Sequence, residues 1–265
     1  MTVPVLTATV DGDSATLSGR HDVLILGPSL GATARSWDGA LAELSEDHTV
    51  VRWDLPGHGA SHVAREPFTL AELAAAVINL ADALGISRFD YAGVSVSGAV
   101  ALELAIAYPA RLGHVIPICT AAKLGESGPW NERAELVRAE GAAVVIPVQE
   151  ERWFSPEFRE DEADIVAAVM SDIAATDAES YALLCEAIGQ YDVRDKLSQI
   201  TVPLLMISGE CDPATTVEAG AFIANHVSGA TQFVVPDAFH QAIVEHPLVV
   251  ARAINAFLAG QPIPG

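Results

Sequence analysis

Cysteine is scarce in this chain. The three present, Cys119, Cys185 and Cys211, are widely separated and odd in number. They offer no disulfide framework, and no spacing links them to histidines as a metal site. Buried thiols in a reducing cytoplasm are the expectation. Long apolar runs are missing too: no uncharged stretch reaches the about 18 residues that a membrane span needs. Met1-Thr2-Val3-Pro4 lacks a basic region leading into an apolar one, so no signal peptide is expected. Positive charge is the third shortage. Against 35 Asp and Glu stand 14 Lys and Arg, a formal net charge of −21. That sign excludes nucleic acid and anionic membrane as partners held by bulk electrostatics. It also requires a local arginine to hold any anionic substrate against the global field.

What is present is apolar material, 51% of 265 residues, enough for one large α/β domain or two small ones. Residues 3–10 read as an edge strand, closed by an Asp11-Gly12-Asp13 turn. Continuous apolar runs at 22–26 and 49–53 read as strands buried on both faces. Between them Ser36 is placed as the cap of a helix to about residue 44. Thr69 opens a helix over 69–84, with Glu72 three residues on as in a capping box and Gly85 as its stop. A strand over 88–93, a helix over 99–108 ended by Pro109, and a strand over 114–118 follow. Alternation at this spacing implies a mostly parallel, doubly wound sheet with helices on both faces. The rhythm then breaks. Residues 121–197 contain no convincing buried strand, only helical stretches at 131–141, 161–174 and 178–191. The α/β pattern resumes with a strand over 203–208, a helix over 216–226, a strand over 231–235 and a helix over 247–258. The expected division is a core of residues 1–120 and 198–265 with a helical cap of 121–197. Such an insertion packs most naturally over the carboxyl ends of the strands, where α/β sheets keep their sites.

The chemistry centres on Tyr91-Ala92-Gly93-Val94-Ser95-Val96-Ser97-Gly98-Ala99. A serine between a strand and a helix, with small residues two before and two after it, is the pattern of a nucleophile elbow. The same stretch admits a second frame centred on Ser97. Ser95 is preferred, because Gly93 supplies the freer backbone and Ser97-Gly98 then opens the helix. An ordinary strand-to-helix loop with a capping serine is the plain alternative. A serine hydroxyl needs a base, and the base needs an acid to orient it. Asp212 follows the 203–208 strand and His240 follows the 231–235 strand, giving the order Ser, Asp, His. Glu210 and Asp237 are the alternative acids. The backbone N–H of Val96 would form half of an oxyanion hole at a helix start. Leu30, in Pro28-Ser29-Leu30-Gly31 after the first buried strand, is the candidate for the other half.

With these residues in hand the chain resembles the α/β-hydrolase superfamily over nearly its full length. Leu26 to Gly31 followed by Trp37, the Arg52-x-Asp54-x-x-Gly57-x-Gly59-x-Ser61 loop, the elbow, Asp212 and His240 match in order and spacing. Stretches around Cys119–Gly125, Trp130, Arg133, Arg138-x-Glu140-Gly141, Arg152-Trp153-Phe154 and Tyr181-x-x-x-Cys185-Glu186 are similar to the lid of 3-oxoadipate enol-lactonases. The resemblance implies an α/β-hydrolase fold with the lid inserted after the sixth strand. It implies a serine-dependent hydrolase of an anionic lactone or ester, with no cofactor and no metal. A homo-oligomer is compatible with it. Arg133, Arg138 or Arg152 would clamp the substrate carboxylate, and Trp130 and Trp153 would wall its pocket. Two positions depart from the family pattern. Ser97 stands where the elbow carries glycine, and Pro28 stands where the oxyanion loop carries a polar residue.

Overall fold

A computed structural model describes residues 3–11, 17 and 22–264. Among the described residues its sheet has seven strands: β1 (Ala8–Asp11), β2 (Val23–Gly27), β3 (Thr49–Trp53), β4 (Phe89–Val94), β5 (Leu112–Ile118), β6 (Leu205–Gly209) and β7 (Thr231–Val235). Their spatial order is β1-β3-β2-β4-β5-β6-β7. Among these strands β1 pairs antiparallel with β3, and the other pairs are parallel. All five residues of β2, β3 and β6 are buried, as a parallel strand covered on both faces requires. β1 is shorter than the sequence suggests. Thr7 is instead tied to the loop after β3, donating its N–H to Ser61 Oγ (2.8 Å) and accepting from Asp54 N–H (3.1 Å). Gly12 and Asp13 of the expected turn lie outside the described residues.

Helices α1 (Asp38–Leu44), α2 (Leu70–Ala83) and α3 (Val96–Ala107) alternate with the strands. The capping box on α2 is formed: Thr69 Oγ1 accepts from Glu72 N–H, and the Glu72 carboxylate accepts from Thr69 N–H. Ser36 does not cap α1. It lies inside a 3₁₀ turn, Ala34–Trp37, and Trp37 takes the capping position. Between β5 and β6 come α4 (Ser127–Glu140), α5 (Ile146–Trp153), α6 (Pro156–Asp161), α7 (Ala163–Ala175) and α8 (Ala178–Gly189). The described residues carry five strands ahead of this insertion; residues 12–16 and 18–21, between β1 and β2, lie outside them. α9 (Val217–His226), the short α10 (Ala242–Glu245) and α11 (Pro247–Leu258) complete the chain. Two apolar layers flank the sheet. One joins the β4–α3 side to the buried faces of α4, α7 and α8, and the other packs α1 and α11 against β2 and β6. No helix among the described residues is long and apolar enough to cross a membrane.

Candidate active site

Ser95 sits between β4 and α3 with φ +57° and ψ −114°. For a residue with a side chain this conformation costs on the order of 1–3 kcal/mol and persists only where neighbours hold it. Here three hydrogen bonds do. Ser95 N–H donates to Ile118 C=O (2.8 Å), and Ser95 C=O accepts from Ala99 N–H (2.9 Å) and Thr120 Oγ1 (2.8 Å). The turn is so tight that a Cβ on Gly93 would fall 2.3 Å from the Ser97 carbonyl oxygen, which is why the position carries no side chain. The two serines of the ambiguous frame have different surroundings. Ser95 opens into a cavity of about 380 Å³. Ser97 is fully buried behind it, and its Oγ donates to Pro28 C=O at 2.5 Å.

Asp212 follows β6 and His240 follows β7, so both reach the same carboxyl edge of the sheet. His240 Nδ1 and Asp212 Oδ2 are 2.8 Å apart, and both residues are buried. Asp212 is further saturated by Thr215: Oδ1 accepts from the N–H groups of Ala214 (2.7 Å) and Thr215 (3.0 Å), and Oδ2 from Thr215 Oγ1 (2.6 Å). Burial opposes ionisation of this carboxyl, but the neighbouring His240 and the Thr215 donors outweigh it. The carboxyl is held below its ordinary range. The anion fixes the proton on His240 Nδ1, which leaves Nε2 as the free acceptor. His240 and Ser95 line the same cavity. Of the alternative acids, Glu210 accepts instead from Asp237 N–H (3.1 Å). Cys211, beside Asp212, is exposed rather than buried, while Cys119 and Cys185 are buried.

Leu30 follows β2 and the N-terminus of α3 follows β4, and these two strands are neighbours in the sheet. Ser29 C=O accepts from Ala32 N–H (3.0 Å), closing a tight turn. In a trans peptide the C=O and N–H point opposite ways, so the Leu30 N–H points out of that turn. Leu30 lines the cavity, and Val96 is the first helical residue, whose N–H has no partner one turn back. The loop is braced by residues that the sequence alone did not single out. Gly31 N–H donates to His58 Nε2 (2.9 Å), and His58 Nδ1 pairs with Pro56 C=O (2.9 Å). Since Nε2 accepts, the proton is on Nδ1. Burial pushes this imidazole down to about 4, so it is neutral at neutral pH. Gln241 Nε2 donates to Ser29 Oγ (2.6 Å), while its own N–H donates to Trp153 C=O of the insertion (3.1 Å).

The insertion supplies the far wall: Trp130, Arg133, Gln149, Arg152 and Trp153. The guanidinium of Arg133 lies 5.2 Å from the centroid of the Trp130 ring and donates to Gln149 Oε1 (3.3 Å). Arg138 is a correction to the sequence reading. It is absent from the cavity wall and is bound by Glu179 (2.8 and 2.9 Å) and Glu186 (2.5 Å) of α8. Apolar periodicity does not mark α5, and so it leaves Gln149 unmarked. Pro147 near its start was the available signal, as Pro156 was for α6.

Known proteins carry the same architecture. The family model described as the alpha/beta hydrolase family matches residues 23–253. The chain is 38% identical to 3-oxoadipate enol-lactonase 2 of Acinetobacter baylyi over 235 residues, 89% of this chain and 88% of that one. It is 35% identical to 3-oxoadipate enol-lactonase 1 of the same organism, with the same coverage of each chain. Among solved structures, the enol-lactonase from Burkholderia xenovorans LB400 superposes with a TM-score of 0.91 at 32% identity, covering 96% of each chain.

Proposed function

We infer the reaction from one premise: the chain belongs to the alpha/beta hydrolase family and is an ester-hydrolysing enzyme. It opens 3-oxoadipate enol-lactone to 3-oxoadipate through an acyl-enzyme on Ser95. His240 Nε2 takes the Ser95 proton as Oγ attacks the lactone carbonyl. Asp212 holds the imidazole in the required tautomer and stabilises the imidazolium that forms. The Leu30 and Val96 N–H groups receive the oxyanion, in the fixed orientation that makes such donors effective. The ring C–O bond breaks, the enol oxygen, still tethered to the acyl group, takes the proton from His240, and the enol tautomerises to the ketone. Water, deprotonated by His240, then attacks the ester carbonyl, and Ser95 Oγ departs as the His240 imidazolium returns the proton to it. The protein's own residues suffice for every step, so the reading includes no cofactor. Residues 121–197 act as the cap that closes the site from above.

The observation that carries this reading is one cavity of about 380 Å³ joining Ser95 and His240 to Arg133 and Arg152. It pairs the machinery for acyl transfer with cationic groups suited to the lactone's carboxylate, and its size suits a small molecule. The −21 charge of the chain repels such an anion at long range, but salt screens that field within about 8 Å, so a guanidinium in contact prevails. The test is hydrolysis of freshly generated enol-lactone by wild type and Ser95→Ala, followed by loss of lactone absorbance. Rapid turnover abolished by the substitution supports the reading. A neutral short-chain ester turned over faster than the lactone would overturn the substrate assignment.

A further inference from the structure

The two positions where the chain departs from its family pattern touch each other. Ser97 replaces the elbow glycine, Pro28 sits beside the oxyanion loop, and the Ser97 hydroxyl donates to the Pro28 carbonyl at 2.5 Å. Both ends of that bond are shut away from water, Ser97 with none of its surface exposed. Room for the hydroxyl comes from Gly27, where an added Cβ would lie 2.7 Å from Ser97 Oγ. On the other side of Leu30, Gly31 N–H is held by His58 Nε2 at 2.9 Å, in a residue that is itself fully buried. The peptide whose N–H would receive the oxyanion is therefore hung between two buried hydrogen bonds. One comes from the elbow helix and one from the loop after β3. The first bond ties the two halves of the oxyanion hole together, since Ser97 follows Val96 directly and Pro28 lies two residues before Leu30.

We infer that Ser97 is a positioning residue for the oxyanion hole: its hydroxyl fixes the distance between the Val96 and Leu30 amides, with His58 as the second anchor. This rests on the reading of Ser95 as the nucleophile. It explains how the chain keeps a working elbow without the usual glycine: the added side chain is used as a strut rather than tolerated as a defect. Removing it leaves the Pro28 carbonyl buried without its donor and frees the turn to drift. Such drift weakens a contact made in full only when the carbonyl becomes tetrahedral, so kcat falls while substrate binding is preserved.

The experiment uses Ser97→Ala and Ser97→Gly, with p-nitrophenyl acetate as substrate and phenylboronic acid as the probe that forms a tetrahedral adduct on the serine. Deleting an oxyanion donor outright costs about 10²–10³-fold, so misplacing one should lower kcat roughly tenfold in both variants, with KM within about twofold of wild type. Boronate affinity should fall by the same factor. The glycine variant separates the strut from mere size, because a packing role predicts that restoring glycine is harmless. Wild-type kcat and boronate affinity in both variants would overturn the proposal alone. So would a loss carried by KM, or by a lowered melting temperature with unchanged kcat in the folded fraction. A wild type that neither binds boronate nor reacts with a fluorophosphonate would overturn the proposal together with the serine mechanism.

Discussion

The sheet and the helical insertion deliver their residues to the cavity in different ways. Ser95, Asp212 and His240 arrive on loops that follow β4, β6 and β7, at one edge of a parallel array. Parallel strands all end on the same side, so chain order and strand position already bring such residues to one place. The insertion delivers side chains on helix faces, where rotational phase decides everything. Arg133 and Arg138 both lie on α4, five residues apart. At 3.6 residues per turn, five steps rotate a side chain by roughly 140° to the other flank. Arg133 therefore shares a face with Trp130, three residues earlier, and looks into the cavity, while Arg138 turns to the carboxylates of α8. A strand-end loop puts chemistry in place through topology; a helix does so only through its docking angle.

The comparison is broken most decisively at the sheet edge. Ser95→Ala should lower kcat on the order of 10⁴-fold or more, and Asp212→Asn by about 10³–10⁴-fold, read from enol-lactone turnover at saturating substrate. Any insertion substitution that matched these losses in kcat would abolish the contrast. His58 gives the next effect, on stability. Its ordinary value is 6.5 and burial lowers it to about 4 in the folded chain. Between these values the unfolded state holds the extra proton, so stability is lost as pH falls through that window. The loss comes to about 3 kcal/mol, and His58→Gln should remove that slope in urea unfolding curves taken between about pH 7 and about pH 4. Equal slopes in the two proteins would show that His58 is not kept neutral by its surroundings.

Arg133→Ala sharpens the insertion side. It should raise KM for the anionic lactone roughly tenfold or more and leave KM for a neutral ester unchanged, as expected for the loss of a charge-assisted carboxylate contact. Parallel effects on both substrates would make Arg133 a packing residue. Arg138→Ala is the smallest and serves as its control. KM should not move, and thermal unfolding should show a loss below about 1 kcal/mol, because its ion pairs with Glu179 and Glu186 are partly exposed.

Local signals carried much of the architecture. The Thr69–Glu72 box and the stop at Gly85 were readable because capping is a contact between near neighbours, and α2 begins and ends as expected. The strand at 231–235 and the helix at 247–258 were equally plain from apolar runs and a leading proline. Ser36 misled, because a serine before an apolar run signals a cap only if the chain is extended there, and tertiary packing has wound residues 34–37 into a 3₁₀ turn. Gln241 had no signal at all. Its partners, Ser29 and Trp153, are distant in the chain and become neighbours only when the loop after β7 meets the turn after β2 and the insertion.

By itself the sequence determined the alternating α/β order, a small-residue strand-to-helix turn holding two candidate serines, and the identity and order of the acid and base candidates. These depend on composition, periodicity and chain direction, which are local or topological properties. Only the tertiary structure decided which of two serines in one motif faces the cavity and which arginine of one helix lines it. It alone revealed that the two departures from the family pattern meet in a single buried hydrogen bond. Those outcomes are set by distances between segments far apart in the chain, and no local pattern encodes a distance that arises only when the segments pack.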